Sequence, residues 1–285
     1  MLDFYRSIPI KENLYRIASP ENVFCELLVG SERALLIDTG YGFGNLKAAV
    51  RRVTDKPLVI VNTHGHLDHV CGNAQFDEPV YIGQKDMPLC QIHTGREARA
   101  RAAENAKHTL DYASGGFVYG LPEDFVLEAY LARGAGNLVA CGEGAEFVLG
   151  GMTVRVYETP GHTPGGLSFH YLEENILYTG DAVGPFVWLF MPEATDRSTH
   201  IATTERIIDL GAARVYAAHG EQPMDNPFLR RCLRAAVEAD YEKGFPFESP
   251  LTGATDARIC TLDGMTPAEL GRNPDFAAIV ISPDR

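Results

Sequence analysis

Between Asn62 and Gly72 the chain reads NTHGHLDHVCG, which puts His64, His66, Asp68 and His69 within six residues. Imidazole nitrogens and a carboxylate at this density suit half of a divalent-metal site, whose ion could activate water or polarise a substrate, against the plainer reading of a polar surface loop. His64 and His66 follow the apolar run PLVIVNT, which reads as a strand. In extended chain, residues two apart face the same side, so both rings can reach one ion. Gly65 between them frees the backbone to bend. Asp68 and His69 come at a turn that opens a helix, where they can aim at a second, adjacent position.

Three later stretches each carry one coordinating residue where a strand ends. TPGHTPGG holds His162, LYTGDA holds Asp181 and YAAHGE holds His219. Strand ends are where α/β sheets build sites. Singly, each stretch has an ordinary reading: a polar loop, a turn cap for His162, a helix N-cap for Asp181. Together, five histidines and two aspartates suit zinc, iron or manganese better than magnesium or calcium. His93, His108, His170 and His200 fit no ligand position and read as structural or solvated. Cys71 reads as a small buried residue.

The elements that must hold these residues fall into two similar blocks. In residues 1–83, NLYRIA, VFCELLVG, RALLIDTG, PLVIVNT and PVYIG read as strands, with NLKAAVRRV a short helix. In residues 145–220, EFVL, MTVRVYETP, LSFHYL, NILYTGD and RVYAAHG read as strands, with a capped helix in DRSTHIATTERIIDLG. Between them, about 84–144, the pattern is helical. Thr94-x-x-Glu97 predicts a capping box opening a helix to roughly Asp111. Pro122, Glu123 and Asp124 predict the first turn of a second helix. Asn226-Pro227 opens a last helix, and ARICTL and AAIVIS read as strands in a C-terminal extension from about 221. The whole, 1–285, is expected to be a single domain with that insertion and extension.

The 285 residues are 45% hydrophobic and carry a formal net charge of −13 with no run of basic residues. Such a chain can bury a large core without staples and is a poor match for nucleic acid or an anionic membrane. No apolar run approaches the ~20 residues of a membrane helix. Cys25, Cys71, Cys90, Cys141, Cys232 and Cys260 are scattered, neither a zinc ribbon nor a disulfide scaffold. The start lacks the apolar core of a signal peptide, so a cytoplasmic setting is expected. The expected partners are a small-molecule substrate and, as an option, a second copy in a homodimer.

The order His-x-His-x-Asp-His, then a lone His, an Asp and a His resembles the metallo-β-lactamase superfamily. The likeness rests on residues 62–72, 159–166, 178–182 and 216–220, together with the upstream LLIDTG, and spans about 10–220. It implies an α/β fold, an αββα four-layer sandwich of two mixed sheets flanked by helices. It implies two divalent ions, zinc before iron or manganese. His64, His66 and His162 would hold the first; Asp68, His69 and His219 the second; and Asp181 would bridge. Asp38 would orient the ligand loop without touching metal. Asp68 and Asp181 would be the catalytic carboxylates, Asp68 orienting the nucleophile.

The true β-lactamases of the superfamily lack the bridging aspartate, so Asp181 implies the branch of glyoxalase II and the lactonases. The chain departs from both. Gly65 stands where glyoxalase II has a histidine, and Tyr216 is the only candidate for the lactonase tyrosine. The implied reaction is metal-assisted hydrolysis of an ester, thioester or lactone. The alternative is a persulfide dioxygenase, with one iron on His64, His162 and Asp181. The run VGPFVWLFMPE after Asp181 reads as a loop whose Phe186, Trp188, Phe190 and Met191 either pack in the core or, the preferred reading, line a pocket for a partly apolar substrate. The helix with Phe125, Leu127, Tyr130 and Leu131 reads as core or as a lid over that pocket.

Overall fold

The computed structural model describes residues 4–111, 116–118, 120–249 and 255–285. Its first sheet begins with β1 (Arg6–Lys11), β2 (Leu14–Ala18), β3 (Phe24–Val29) and β4 (Ala34–Ile37), all antiparallel neighbours. Strands β5 (Leu58–Val61) and β6 (Pro79–Gly83) extend it in parallel. Two short strands, β7 (Thr109–Asp111) and β8 (Gly116–Val118), pair with each other, and β9 (Asn137–Cys141) completes the first sheet beside β6.

The second sheet holds β10 (Glu146–Val148), β11 (Thr153–Glu158), β12 (Leu167–Tyr171) and β13 (Ile176–Gly180), again antiparallel. The chain then leaves it through β14 (Phe186–Trp188) and returns as β15 (Arg214–Ala217), parallel to β13. A third sheet, in the order β14-β18-β17-β16, joins β14 to three C-terminal strands: β16 (Phe245–Phe247), β17 (Ala257–Thr261) and β18 (Ala278–Ile281).

Strand alternation produces the layers. In β4 the sequence ALLI is buried throughout because its two faces meet different cores. Leu35 and Ile37 pack with Val154, Val156, Phe169 and Tyr178 between the two main sheets. Ala34 and Leu36 turn outward, onto Leu46, Ala49 and Val50 of helix α1 (Leu46–Val53). Asn45 caps that helix through the amide of Ala48, a bond typically worth ~1 kcal/mol. On the second sheet, Leu177 and Val215 face outward to Ile207 of one long helix and Leu229 of another. The stack is therefore helix, sheet, sheet, helix, as the family resemblance implied.

The remaining helices are α2 (Leu67–Val70), α3 (Met87–His93), α4 (Arg96–Asn105), α5 (Leu127–Leu131), α6 (Arg197–Asp209) and α7 (Asn226–Glu238). Several expectations need correction here. Thr94 does not open α4; its hydroxyl donates 2.7 Å to the Cys90 carbonyl and closes α3, and Gly95 takes the N-cap position. The helix stops at Asn105, well before Asp111. Pro122 starts a turn, accepting from the Phe125 amide, so the next helix is only five residues long. Tyr130 and Phe125 of that region pack on Phe43. The stretch to Gly144 also contributes β9, a strand. The run at 186–188 is a strand and not a loop. The expected reading of the His108 side chain lies outside the described residues. No described helix is long and apolar enough to cross a membrane.

Candidate metal centre

All seven sequence-nominated ligands converge at the rim between the two main sheets. They fall into two groups: His64, His66 and His162, and Asp68, His69, Asp181 and His219. His64 lies three residues past β5, His66 caps α2, and Asp68 and His69 ride on that helix. His162 sits in the β11–β12 loop, Asp181 directly follows β13 and His219 follows β15. Gly180, just before Asp181, has φ of +55°, and a Cβ there would lie 2.4 Å from Thr63 Oγ1. Only glycine allows Asp181 to come so close to the first ligand loop.

The hydrogen bonds around the rings decide which nitrogens are bare. His162 Nδ1 lies 2.7 Å from the Trp188 carbonyl, an acceptor, so Nδ1 carries the proton and Nε2 is a lone pair. His66 Nε2 lies 2.7 Å from Glu193 Oε1, so Nε2 donates and Nδ1 is bare. Thr63 gives its hydroxyl proton to Asp38 at 2.8 Å, so it can only accept from His64 Nδ1 at 3.0 Å. His64 Nε2 is therefore bare too. These three bare nitrogens face one another, His66 Nδ1 standing 2.8 Å from His162 Nε2 and 3.1 Å from His64 Nε2. Lone pairs at that range repel, and a cation among them removes the conflict.

The second group shows the same need. His69 Nδ1 donates to Asp38 at 2.9 Å, and its buried Nε2 has no hydrogen-bond partner. That nitrogen faces Asp68 at 3.4 Å and Asp181 at 3.5 Å. His219 Nε2 lies 3.2 Å from Asp68 and 3.3 Å from Asp181. Ligand bonds of about 2.0–2.1 Å in a tetrahedral shell put donors roughly 3.4 Å apart, so these spacings fit a metal. Asp181 Oδ2 also reaches His162 Nε2 at 3.7 Å, which places one carboxylate oxygen between the two groups.

The electrostatics agree. Burial works against charge on Asp181, yet His219 and His69 outweigh it and hold the carboxyl well below the usual range. Burial would lower His219, but Asp181 and Asp68 push it up to about 10. The second group thus calls for positive charge, which a proton or a metal can supply. In the first group burial, then the neighbouring His66, brings His162 down to about 4, so its ring stays neutral and free to ligate.

Asp38 accepts from the Thr63 amide at 2.7 Å as well as from His69 Nδ1 at 2.9 Å. It does so from a left-handed backbone, φ of 62°, a strained conformation of the kind that clusters at functional sites. His93 stacks on His66 with ring centroids 5.2 Å apart, while His170 and His200 belong to neither ligand group, His200 packing against Gly161 beside His162. Phe190 and Met191 are buried in the core of the third sheet; Phe186 and Trp188 are half-buried on its face, against Phe247.

Glu193, Asp86 and Arg16 contact the site or its loops, and sequence reasoning missed all three. Glu193 and Asp86 have no spacing signal. Arg16 had one: it stands at an inward position of an apolar strand, directly opposite Glu26 in the next.

A ligand set divided between two cation positions, at the rim of an αββα sandwich, defines a metal-dependent hydrolase. Residues 18–219 match the metallo-beta-lactamase superfamily, and the chain belongs to it. It is 28% identical to the acyl-coenzyme A thioesterase MBLAC2 of Bos taurus, over 70% of this chain and 72% of that one. It is 25% identical to the hydroxyacylglutathione hydrolase GloC of Haemophilus influenzae, over 72% of this chain and 92% of that one. Among solved structures, it is similar to the metallo-beta-lactamase family protein TTHA1429 of Thermus thermophilus. That match has a TM-score of 0.60 and 25% identity, covering 82% of each chain.

Proposed function

We propose that the chain hydrolyses a thioester of a partly apolar acyl group at a dinuclear centre. An ester or lactone is the next choice. The observation that carries this reading is the position of Asp181 Oδ2, within 3.7 Å of ligand nitrogens from both groups. In this reading His64, His66 and His162 would hold one ion and Asp68, His69 and His219 the other, with Asp181 available to both. A carboxylate oxygen within reach of both groups supports the bridging-aspartate branch of the superfamily. Nitrogen and carboxylate donors suit zinc, with iron or manganese as lesser fits.

Divalent ions held there would supply a water-derived nucleophile at neutral pH and polarisation of the scissile carbonyl. The residues of the chain do the rest. Asp68 would orient the nucleophile and take its proton at Oδ1, because Oδ2 is the oxygen turned to His69 and His219 and committed to the ion. Asp38 holds His69 with its proton on Nδ1, the Trp188 carbonyl does the same for His162, and Glu193 holds His66 with its proton on Nε2. Phe186 and Trp188 offer an apolar surface for an acyl chain beside the His162 loop.

Charge balance favours two ions over one iron. Asp68, Asp181, Asp38 and Glu193 each ligate or touch a ligand, and their four negative charges match two divalent cations. Two of the relatives bear the names of enzymes that release an acyl group from coenzyme A or glutathione, which supports the thioester. The free cysteines support a reducing, cytoplasmic setting. The test is turnover of acyl-coenzyme A, acylglutathione, aryl ester and lactone substrates by wild-type protein and Asp181→Ala. Thioester turnover lost in the variant, along with one metal equivalent, supports the reading; a variant with unaltered metal content and activity contradicts it.

A further inference from the structure

Two fully buried charges lie outside both ligand groups, and each grips a different part of the centre. Asp86, 0% exposed, stands at the N-cap of α3 yet its side chain bonds no amide of that helix. Its Oδ2 accepts from the Gly65 amide at 2.9 Å and the Thr163 hydroxyl at 2.7 Å, and its Oδ1 from the Gly165 amide at 2.7 Å. Gly65 separates His64 from His66, and Thr163 and Gly165 follow His162. One carboxylate therefore ties together two loops that come from different sheets and carry the first nitrogen trio. The fit is close: a Cβ on Gly165 would lie 2.6 Å from Asp86 Oδ1, and one on Gly65 2.8 Å from the Asp86 carbonyl.

Arg16, 1% exposed, sits on β2 and pairs with Glu26 at 2.8 Å. The rest of its guanidinium donates to the carbonyls of Ala217 at 2.8 Å, Glu221 at 2.9 Å, and Gly220. These carbonyls flank His219 on both sides. The rings of Phe24 and Tyr216 cover the guanidinium at 4.1 and 4.9 Å. A planar fork with its donors committed in this way fixes the path of 217–221. His219 is thereby aimed at Asp68 and Asp181.

We propose that Asp86 and Arg16 are positioning residues with separate targets. Asp86 sets the affinity of the first subsite (His64, His66, His162), and Arg16 that of the second (Asp68, His69, Asp181, His219). The proposal rests on the dinuclear reading. Its physical basis is that a ligand held at its final position loses less freedom when the ion arrives, so releasing its support weakens binding. Asp86 makes none of its three bonds to the second group, and Arg16 makes none to the first, so the two effects separate.

The test is a stepwise Co2+ titration of metal-free wild-type, Asp86→Asn and Arg16→Lys proteins against a chromophoric chelator. The visible absorption of Co2+ reports the donor set it fills. Thermal unfolding of each metal-free protein is followed in parallel. Asp86→Asn keeps the volume but turns an amide NH2 toward other donors. Arg16→Lys keeps the charge beside Glu26 but loses the fork. We expect first-subsite affinity to fall about 10–100-fold in Asp86→Asn with the second within about threefold, and the reverse in Arg16→Lys.

Two milder changes cover poor folding. Thr163→Val removes one acceptor bond of Asp86 and is expected to weaken the first subsite alone. Arg16→Met with Glu26→Gln removes the buried pair together and is expected to weaken the second alone. Equal losses at both subsites, or unaltered affinities in a folded variant, overturn the division while leaving two ions in place. A wild-type protein that takes up a single ion overturns the dinuclear reading and the division with it.

Discussion

Glu193 Oε1 lies 2.7 Å from His66 Nε2, on the side of the ring that faces away from His64 and His162. The contact fixes the tautomer: with the proton on Nε2, His66 must present Nδ1 to the ion. Burial resists charge on Glu193, but the His66 contact outweighs it and brings the carboxyl down to about 2. Carboxylates behind a ligating histidine typically contribute 10–100-fold in metal affinity. Glu193→Ala is therefore expected to weaken the first ion by about that factor, with Glu193→Gln recovering part of the loss. Chelator competition measures both. Unaltered affinity in Glu193→Ala would remove this residue from the account.

Metal loading should release protons unevenly. Burial and the neighbouring histidines lower His64, and His162 falls to about 4, so at pH 7 two of the three first-subsite rings are already neutral. Asp68 and Asp181 overcome burial and hold His69 well above its ordinary value and His219 up to about 10, so both are protonated in metal-free protein. Their raised values add stability that is complete below the ordinary 6.5 and is lost as pH rises through about 10. An ion entering the second subsite must displace these protons. Calorimetry in buffers of different ionisation enthalpy should show about two protons released with the second ion and almost none with the first. Equal release in both steps contradicts the assignment.

Glu21 offers a test away from the metals. Both its carboxylate oxygens are buried without a hydrogen bond, as is the nearby Ser19 hydroxyl. Burial raises its pKa from 4.5 to about 7, so the folded state keeps a proton that the unfolded state releases between those values. The contribution is complete below 4.5 and is lost as pH rises through about 7. The cost at pH 8 reaches roughly 1–3 kcal/mol. Glu21→Gln should raise stability at pH 8 more than at pH 5, as read by denaturant unfolding of metal-free protein. An equal effect at both pH values rules out a buried, neutral Glu21.

Trp188 separates a substrate wall from mere packing. It is half-buried against Phe190 and Phe247, with ring centroids 5.4 Å apart in both pairs. If an acyl chain covers ~100 Å² of this face, the contact is worth about 2.5 kcal/mol, more than tenfold in rate. Trp188→Ala should then weaken turnover of long-chain acyl thioesters well beyond its effect on acetyl thioesters, at constant metal content. Equal losses on both, or less folded protein, would make Trp188 a packing residue.

The candidate ligands were legible in the sequence because most follow a strand that announces itself, with Asp68 and His69 on the short helix just beyond. β4, β5 and β13 are short apolar runs ending in Asp, His or Asp, and their burial on two faces comes from continuous hydrophobicity. What escaped depends on distant partners. β14 is a strand because Phe186 pairs with Ala278, more than ninety residues later, and nothing local says so. β9 is only partly buried, so its alternation is faint. At Thr94, two helix ends compete for one hydroxyl, and the bond to the Cys90 carbonyl wins. Asp86 resembles an ordinary helix cap in sequence; only the fold shows it turned toward two ligand loops.

The most direct test of the central claim is the metal content of purified wild-type protein by elemental analysis, with protein concentration from amino-acid analysis. Seven ligands in two groups, sharing Asp181, predict about two equivalents of zinc per chain. A single equivalent of iron, with full activity and no gain on adding zinc, would contradict the dinuclear hydrolase and point to the one-iron arrangement on His64, His162 and Asp181.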